Sequence, residues 1–509
     1  MSFLSGLLNG VLDIDPTENV IDFEGQWYTW GDLARTIRNI QSQLQALGLG
    51  EGARIGVFVR NHPDVLAAIL SAVGVDGVMV SINPMLPEDK IRADLARLNL
   101  PVVIGTQTDL DRPGILPVLE QAGSAIIETH PVLQGARLKP DFDRISGKDI
   151  VYTQPGVIIE MLTSGTTGTP KRVPLKRDAF VESFRSAMSY EKDRAPDDPP
   201  RLRRGVQLLT NPMAHIGGLW GALNTILGGR KLCIVEKFSV ESWAGAVTRH
   251  RPVVAGAVPT GLRMILDADL PSDVFSSLKA IRTGAQPLDP AITQEFLDKY
   301  DLPVLQNYGA TEFSGAVAGW SLGAFRKYYK EKPGSVGRFQ PGVTGRVVHP
   351  DTGEVLPPGE EGVLEMKARQ FGNGDEWLRT TDRAVIDEAG FLFIKGRADN
   401  AIIRGGFKVH PDDVASSLEK HPAIREAVVV GIPDRRLGAV PVCAVMLKKG
   451  VAVPTDAELK AFGKEHLTAY QVPVRWKIVE DVPRTPSMKP SLPGVREMFI
   501  SAESEPVQP

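Results

Sequence analysis

RIGVFVRNHPDVLAAILSAVGVDGVMVSI, residues 54–82, decides the fold class. RIGVFV at its start and GVMVSI at its end are short, apolar and β-branched, as strands buried on both faces are. DVLAAILSAVGV between them is long and apolar enough for a buried helix. Strand, helix and strand in that order form a βαβ unit, which sets the two strands parallel with the helix across one face. Working outward, TWGDLARTIRNIQSQLQALGL (29–49) reads as a helix capped by Thr29 and stopped at Gly48. KIRADLARLNL adds a helix and PVVIG a strand. Downstream, VQLLT and KLCIV flank a helix around GGLWGALNTILGG, and VVAGAVP and AIRTGA continue the alternation. The expected class is α/β, with a large N-terminal domain of layered sheets and helices.

Past Gly334 the texture changes. GRVVHPDTGEVLPPGEEGVLEMKA is dense in turn signals and short strands, the pattern of a small antiparallel β-region. AVVVGIPD, PVCAVML, AELKAFGKEHL and WKIVEDV then read as a compact α+β unit of about a hundred residues. The junction is expected in IKGRADNAII, where Arg397, Ala398, Asp399 and Asn400 separate two apolar strands. Residues 1–397 would form the large domain and 398–509 a smaller α+β domain, mobile about that hinge.

The whole-chain numbers agree. At 509 residues the chain exceeds a single typical core. A net charge of −3 carries no nucleic-acid footprint. The two cysteines, Cys233 and Cys443, stand far apart, which argues against a disulfide framework and for a reducing, cytoplasmic setting. The N-terminal MSFLSGLLNGVLDIDP has no basic start and lacks the pattern of a secretory signal. The longest apolar region, within residues 64–82, is interrupted by Asp76 and glycines, so no integral membrane segment is expected. Eight histidines are scattered without ligand spacing, and no structural zinc is expected.

LTSGTTGTPKRVPL, Leu162–Leu175, carries the chemistry. Thr163, Ser164, Thr166, Thr167 and Thr169 supply hydroxyl donors. Gly165 and Gly168 free the backbone, and Lys171 adds a positive charge. That set suits a polyphosphate. It is not a Walker loop, because Pro170 precedes Lys171 and Pro174 would break a following helix. GVIIEML before it reads as a strand, so the loop is expected to join two strands.

Three further stretches fall in order after it: QNYGATE (306–312), RTTDRA with Asp382 followed by GRADNAIIRGGFKVHP, and PRTPSMK ending in Lys489. Together the four resemble the adenylate-forming superfamily of acyl-CoA synthetases, luciferases and nonribosomal peptide adenylation domains, from about Trp27 to Phe499. The resemblance implies an acyl-CoA synthetase. A carboxylate attacks the α-phosphate of ATP to give acyl-AMP and pyrophosphate, and a thiol then takes the acyl group. It implies that Thr163, Ser164, Gly165, Thr166, Thr167, Gly168 and Lys171 hold the β- and γ-phosphates. Glu312 would ligate Mg2+ and Thr311 would bond the α-phosphate. Tyr308 would stack on adenine beside Asn307 and Gly309, with Gly284 and Ala285 in the opposite wall. Asp382 would bind the ribose hydroxyls, assisted by Arg397. Lys489 would bridge the carboxylate and α-phosphate, and Gly405 and Gly406 would approach coenzyme A as the small domain turns about Asp399. Singly, each residue has a commonplace reading as a turn, surface or core residue; the joint pattern separates them from it.

The pattern has departures. Arg172 stands where the family has a small residue; it would add charge near the phosphates or point to solvent. Met488 replaces the glycine before the final lysine and Pro490 follows it, so the local turn is expected to differ. In TNPMAHIGGLWGAL, Ala214-His215 stand where amino-acid-activating relatives carry an aspartate, which argues against an ammonium-bearing substrate. His215 would line the carboxylate end of the pocket. Met213, Gly217, Gly218, Trp220, Ala255, Ala310 and Gly315 would line an apolar pocket for a fatty, alicyclic or aromatic acid. Arg263 and Arg282 are placed on helix or sheet surfaces. The sequence ends soon after Lys489, so a free acceptor thiol is expected, coenzyme A first. A small carboxylic acid and coenzyme A are the expected partners; a homodimer is allowed, and nucleic acid is not. The alternatives are an acyl-AMP ligase loading a separate carrier protein and a nucleotide-binding regulator that has lost catalysis.

Overall fold

The Arg54–Ile82 unit sits at the centre of the computed structural model, which describes residues 2–147, 155–163, 171–189, 198–371, 376–485 and 488–500. Arg54–Phe58 lies between Val78–Ile82 and Val102–Thr106, parallel to both, with Ile55 opposite Met79 and Val102. Val157–Thr163 and Ala125–Thr129 extend the parallel sheet on either side, and antiparallel strands close the two edges. The intervening helix Pro63–Gly74 is buried over nearly its whole length, as its mostly apolar composition requires, and its two buried polar residues are hydrogen-bonded: Asp64 accepts from Leu133 N and Ser71 donates to Ala67 O. It packs with the helices Phe3–Leu12, Trp30–Ala46 and Ile216–Leu227 in the largest core. Trp30–Ala46 starts where the sequence indicated: the Thr29 hydroxyl accepts from Asp32 N, and the Asp32 carboxylate returns a bond to Thr29 N.

Two more sheets complete the layered N-terminal domain. One has the order Val206–Leu209, Lys231–Ile234, Asn19–Phe23, Gln26–Thr29; the other runs from Val254–Gly256 through Ala280–Thr283 and Val304–Ala310 to Gly315–Gly319 and Arg338–Phe339. The turn-rich stretch after Gly334 forms an antiparallel sheet from Thr344–Val348 to Leu392–Arg397. A separate sheet begins at Ile402. It carries the long hairpin Ile424–Asp434/Gly438–Leu447, and the helices Pro411–Leu418, Asp456–His466 and Leu492–Ile500 complete the smaller α+β domain. Among the described residues no helix is long and apolar enough to cross a membrane.

Candidate active site

The loop read as a phosphate cradle leaves one strand and enters an antiparallel partner: Val157–Thr163 pairs with Lys171–Lys176, and Thr163 stands opposite Lys171. Ser164, Gly165, Thr166, Thr167 and Gly168 lie outside the described residues. Arg172 takes neither expected course. It is turned inward, its guanidinium donating to the carbonyls of Ser81 and Glu160 and pairing with Asp94. Alternation along a strand explains this, since Lys171 and Arg172 must leave opposite faces.

Tyr308 and Asp382, 74 residues apart, meet directly: the phenol donates to Asp382 Oδ2. Tyr308 lies on the strand Val304–Ala310 and Asp382 on Leu378–Ile386. Burial and the neighbouring carboxylate push the phenol up, so it remains a donor. Burial also raises Asp382, while the phenol bond and the Arg397 charge pull it partly back. Arg397 is the cross-strand partner of Asp382 and forms a forked ion pair with Asp399. Glu312 is exposed in the short turn Thr311–Phe313, and its charge is felt by Tyr308, Asp382 and Arg397. The Arg397 hydrogen bond and charge hold Asp399 below the usual carboxylate range, and the Lys171 charge acts in the same direction. Gly284 is glycine for a steric reason: a Cβ there would stand 2.2 Å from Asn307 Oδ1. Ala285 follows it in a left-handed conformation, φ 69°. Gly309 packs as tightly, its hypothetical Cβ 2.3 Å from Gly315 O.

Lys489 reaches this group from the smaller domain. Burial and the Arg397 charge lower its pKa, and Asp382 opposes them. Its backbone is held at both ends: Lys489 N donates to Thr485 Oγ1 at 3.2 Å, and its carbonyl accepts from Thr485 N at 2.7 Å. Met488 corrects the expectation of an altered turn. It adopts the left-handed conformation, φ 62°, that glycine would take. Its carbonyl accepts from Thr260 Oγ1 and Arg484 Nη1, and Arg484 is anchored in turn by Glu426. These bonds offset a strain of about 1–2 kcal/mol. Gly405 and Gly406, both at positive φ, form the turn between Ile402–Arg404 and Phe407–Val409, with Gly405 N donating to Leu437 O.

His215 stands at the start of the helix Ile216–Leu227. Burial and the Lys489 charge hold its ring near a pKa of 4, so it is neutral at pH 7. Its Nε2 has no hydrogen-bond partner among the described residues. The segment leading to it is fixed by Asn61, a residue no sequence pattern singled out. Asn61 Nδ2 donates to the carbonyls of Asn211 and Val235, and its Oδ1 accepts from Met213 N at 2.8 Å. Thr210 Oγ1 donates to Gly256 O, tying this segment to the Val254–Gly256 strand. Met213 is fully buried, and the Trp220 indole is pinned to Ser183 Oγ. Arg263 is engaged by both oxygens of Glu295 on the protein surface.

An α/β body whose carboxylates, phenol and arginine receive a lysine from a second domain agrees with what the family matches show, an AMP-forming acid–thiol ligase. Residues 15–374 match the model of the AMP-binding enzyme, and residues 413–489 that of the AMP-binding enzyme C-terminal domain. The chain belongs to the AMP-binding enzyme family. It is 25% identical to a long-chain-fatty-acid–CoA ligase of Bacillus subtilis, over 92% of this chain and 90% of that one. It is 28% identical to the fatty acid–[acyl-carrier-protein] ligase ScoC of Streptomyces coeruleorubidus, over 95% and 94%. Its fold matches the crystal structure of ATP-bound MatB from Rhodopseudomonas palustris with a TM-score of 0.81 at 23% identity, covering 97% of this chain and 99% of that one.

Proposed function

We propose that the protein uses ATP and Mg2+ to activate an apolar carboxylic acid as acyl-AMP and passes the acyl group to coenzyme A. The observation that carries this reading is Lys489, drawn from the smaller domain into the electrostatic reach of Asp382, Arg397 and His215. The acid's oxygen bonds to the α-phosphorus as the bond to the bridging oxygen breaks and pyrophosphate leaves. Negative charge grows on the oxygens between acid and phosphate, where an ammonium from Lys489 is worth most. Thr163, Ser164, Gly165, Thr166, Thr167, Gly168 and Lys171 hold the outer phosphates, and Thr311 the α-phosphate. Tyr308, Asn307, Gly309, Gly284 and Ala285 receive the adenine, and Asp382 with Arg397 the ribose. Glu312, a hard oxygen donor exposed beside this group, would hold Mg2+, which when bound offsets phosphate charge. The second step needs the smaller domain, residues 398–509, to turn about Asp399, bringing Gly405 and Gly406 to the thiol. The thiol then adds to the acyl carbonyl, AMP leaves and the thiol proton goes to solvent.

The neutral His215 and the buried Met213 support an uncharged acid body, since neither offers a counter-charge to an ammonium. Asn61→Ala is expected to release the 211–215 segment, with Met213 N losing its Oδ1 acceptor, and to raise KM for the acid about tenfold, the scale of that one of its three hydrogen bonds, with KM for ATP unchanged. Initial rates with each substrate varied check this, and equal rises in both KM values would remove Asn61 from acid positioning.

The acceptor has a second reading, a carrier-protein thiol, favoured by the likeness to the Streptomyces enzyme over nearly its whole length. Mass spectrometry of products from a panel of fatty, alicyclic, aryl and dicarboxylic acids with ATP, Mg2+ and coenzyme A separates the two. Acyl-CoA with AMP from an apolar acid is the expected result. Acyl-AMP without thioester would move the acceptor to a carrier protein.

A further inference from the structure

Away from that cluster, three side chains of metal-binding type converge from elements far apart in sequence. Asp22 lies on the strand Asn19–Phe23 and Cys233 on the adjacent parallel strand Lys231–Ile234, where the two are register partners. His250 closes the group from the last turn of the helix Val240–His250. Their ligand atoms all lie within 4.8 Å of one another. The side chains are almost wholly enclosed, with 1% of Asp22 and 5% of His250 exposed, and Cys233 is 2% exposed. Trp27 packs its ring edge-on against His250, fixing the imidazole with Nε2 toward Asp22. Asp22 Oδ2 is bonded by His250 Nε2 and by Arg249 Nε at 3.0 Å. Its other oxygen, Oδ1, is buried and meets no N–H or O–H donor among the described residues, and the Cys233 thiol is the weak donor that faces the carboxylate. A buried carboxylate oxygen met only by a weak donor is costly and calls for a ligand.

We infer that Asp22, Cys233 and His250 form a binding site for a thiophilic divalent cation, Zn2+ or Co2+. One sulfur, one imidazole nitrogen and one carboxylate oxygen are a donor set such a cation accepts, with a fourth position left over. On binding, the metal replaces the Cys233 thiol proton, which leaves to solvent, and takes Asp22 Oδ1 in place of the weak thiol donor. The His250–Asp22 contact opens to the separation two ligands of one ion require. Arg249 is the competitor: its guanidinium lies on the same carboxylate and on His250 Nε2, and because its side chain is 45% exposed it can turn to solvent by giving up those two bonds. The site would clamp the helix Val240–His250 to the sheet of Asn19–Phe23. The sequence gives no sign of it because the ligands come from three separate elements and follow no motif spacing.

Cobalt reports on this directly, because a cobalt–thiolate bond absorbs by charge transfer in the near ultraviolet. The other cysteine, Cys443, is fully buried in the smaller domain, so the band can be assigned. The full-length protein, stripped with a chelator and titrated with Co2+, is expected to develop the band at one equivalent and lose it to Zn2+. Cys233→Ser should abolish it. Arg249→Gln keeps all three ligands and should tighten binding on the order of tenfold or more by removing a like charge at contact distance. No band in either the wild type or Arg249→Gln would overturn the site and leave a hydrogen-bonded triad. So would a band that survives in Cys233→Ser. If Cys233→Ser does not fold, the comparison of wild type with Arg249→Gln decides alone.

Discussion

Lys489→Ala is expected to slow acyl-AMP formation by about 10²- to 10³-fold while thioester formation from preformed acyl-AMP stays close to wild type. The first half of the expectation rests on where the charge is held. Burial and Arg397 both disfavour the Lys489 ammonium, and Asp382 compensates only in part, so the cation sits in a field that a developing phosphate charge would relieve. A group of this kind interacts more strongly with the transition state than with the ground state, which is the condition for raising kcat. The second half follows from the proposed domain turn, which takes Lys489 away before the thiol attacks. ATP–pyrophosphate exchange measures the first step, and single turnover from supplied acyl-AMP and coenzyme A the second. Full exchange in Lys489→Ala would remove the lysine from adenylation. Equal losses in both steps would mean that the substitution disrupts the seating of the smaller domain, through the Thr485 and Met488 bonds, rather than the chemistry.

Much of this architecture was legible because it is local. The βαβ unit from Arg54 to Ile82 follows from strand-length apolar runs either side of a helix-length one, and the Trp30–Ala46 start follows from a cap within four residues. That the Lys171 loop joins two strands follows from the apolar run before it, whereas their antiparallel pairing is seen only in the structure. Long-range pairings were not legible. The Tyr308–Asp382 bond and the Asn61 staple each span 74 residues or more, and nothing in either partner's neighbourhood encodes the other. Arg172 departs from expectation because a charge in a polar-looking stretch says nothing about which strand face it leaves. Here the inward face holds Asp94 and the Ser81 and Glu160 carbonyls, all of which bond the guanidinium. Met488 departs from expectation for another reason. Intrinsic preference disfavours φ > 0 there by about 1–2 kcal/mol, and tertiary bonds from Thr260 and Arg484 override a penalty of that size.

Asp382→Ala is expected to lower kcat/KM for ATP on the order of 10²-fold. Two losses combine. The ribose hydroxyls lose an acceptor, a bond of about 1.5–3 kcal/mol, and the half-buried Tyr308 phenol loses its acceptor. Together these exceed the 1.4 kcal/mol that separates each factor of ten. Tyr308→Phe removes the donor but leaves the carboxylate free to accept from the ribose, so its effect should be smaller. The two substitutions are not additive because they share one hydrogen bond. The decisive readout is discrimination between ATP and its 2′-deoxy and 3′-deoxy analogues. An enzyme that grips the ribose through Asp382 penalises the missing hydroxyl, and Asp382→Ala should erase that penalty while leaving the KM of the acid near wild type. Discrimination retained in Asp382→Ala would assign ribose recognition to another group. Asp382 would then serve only to orient the ring of Tyr308, and Tyr308→Phe should in that case cost as much as Asp382→Ala.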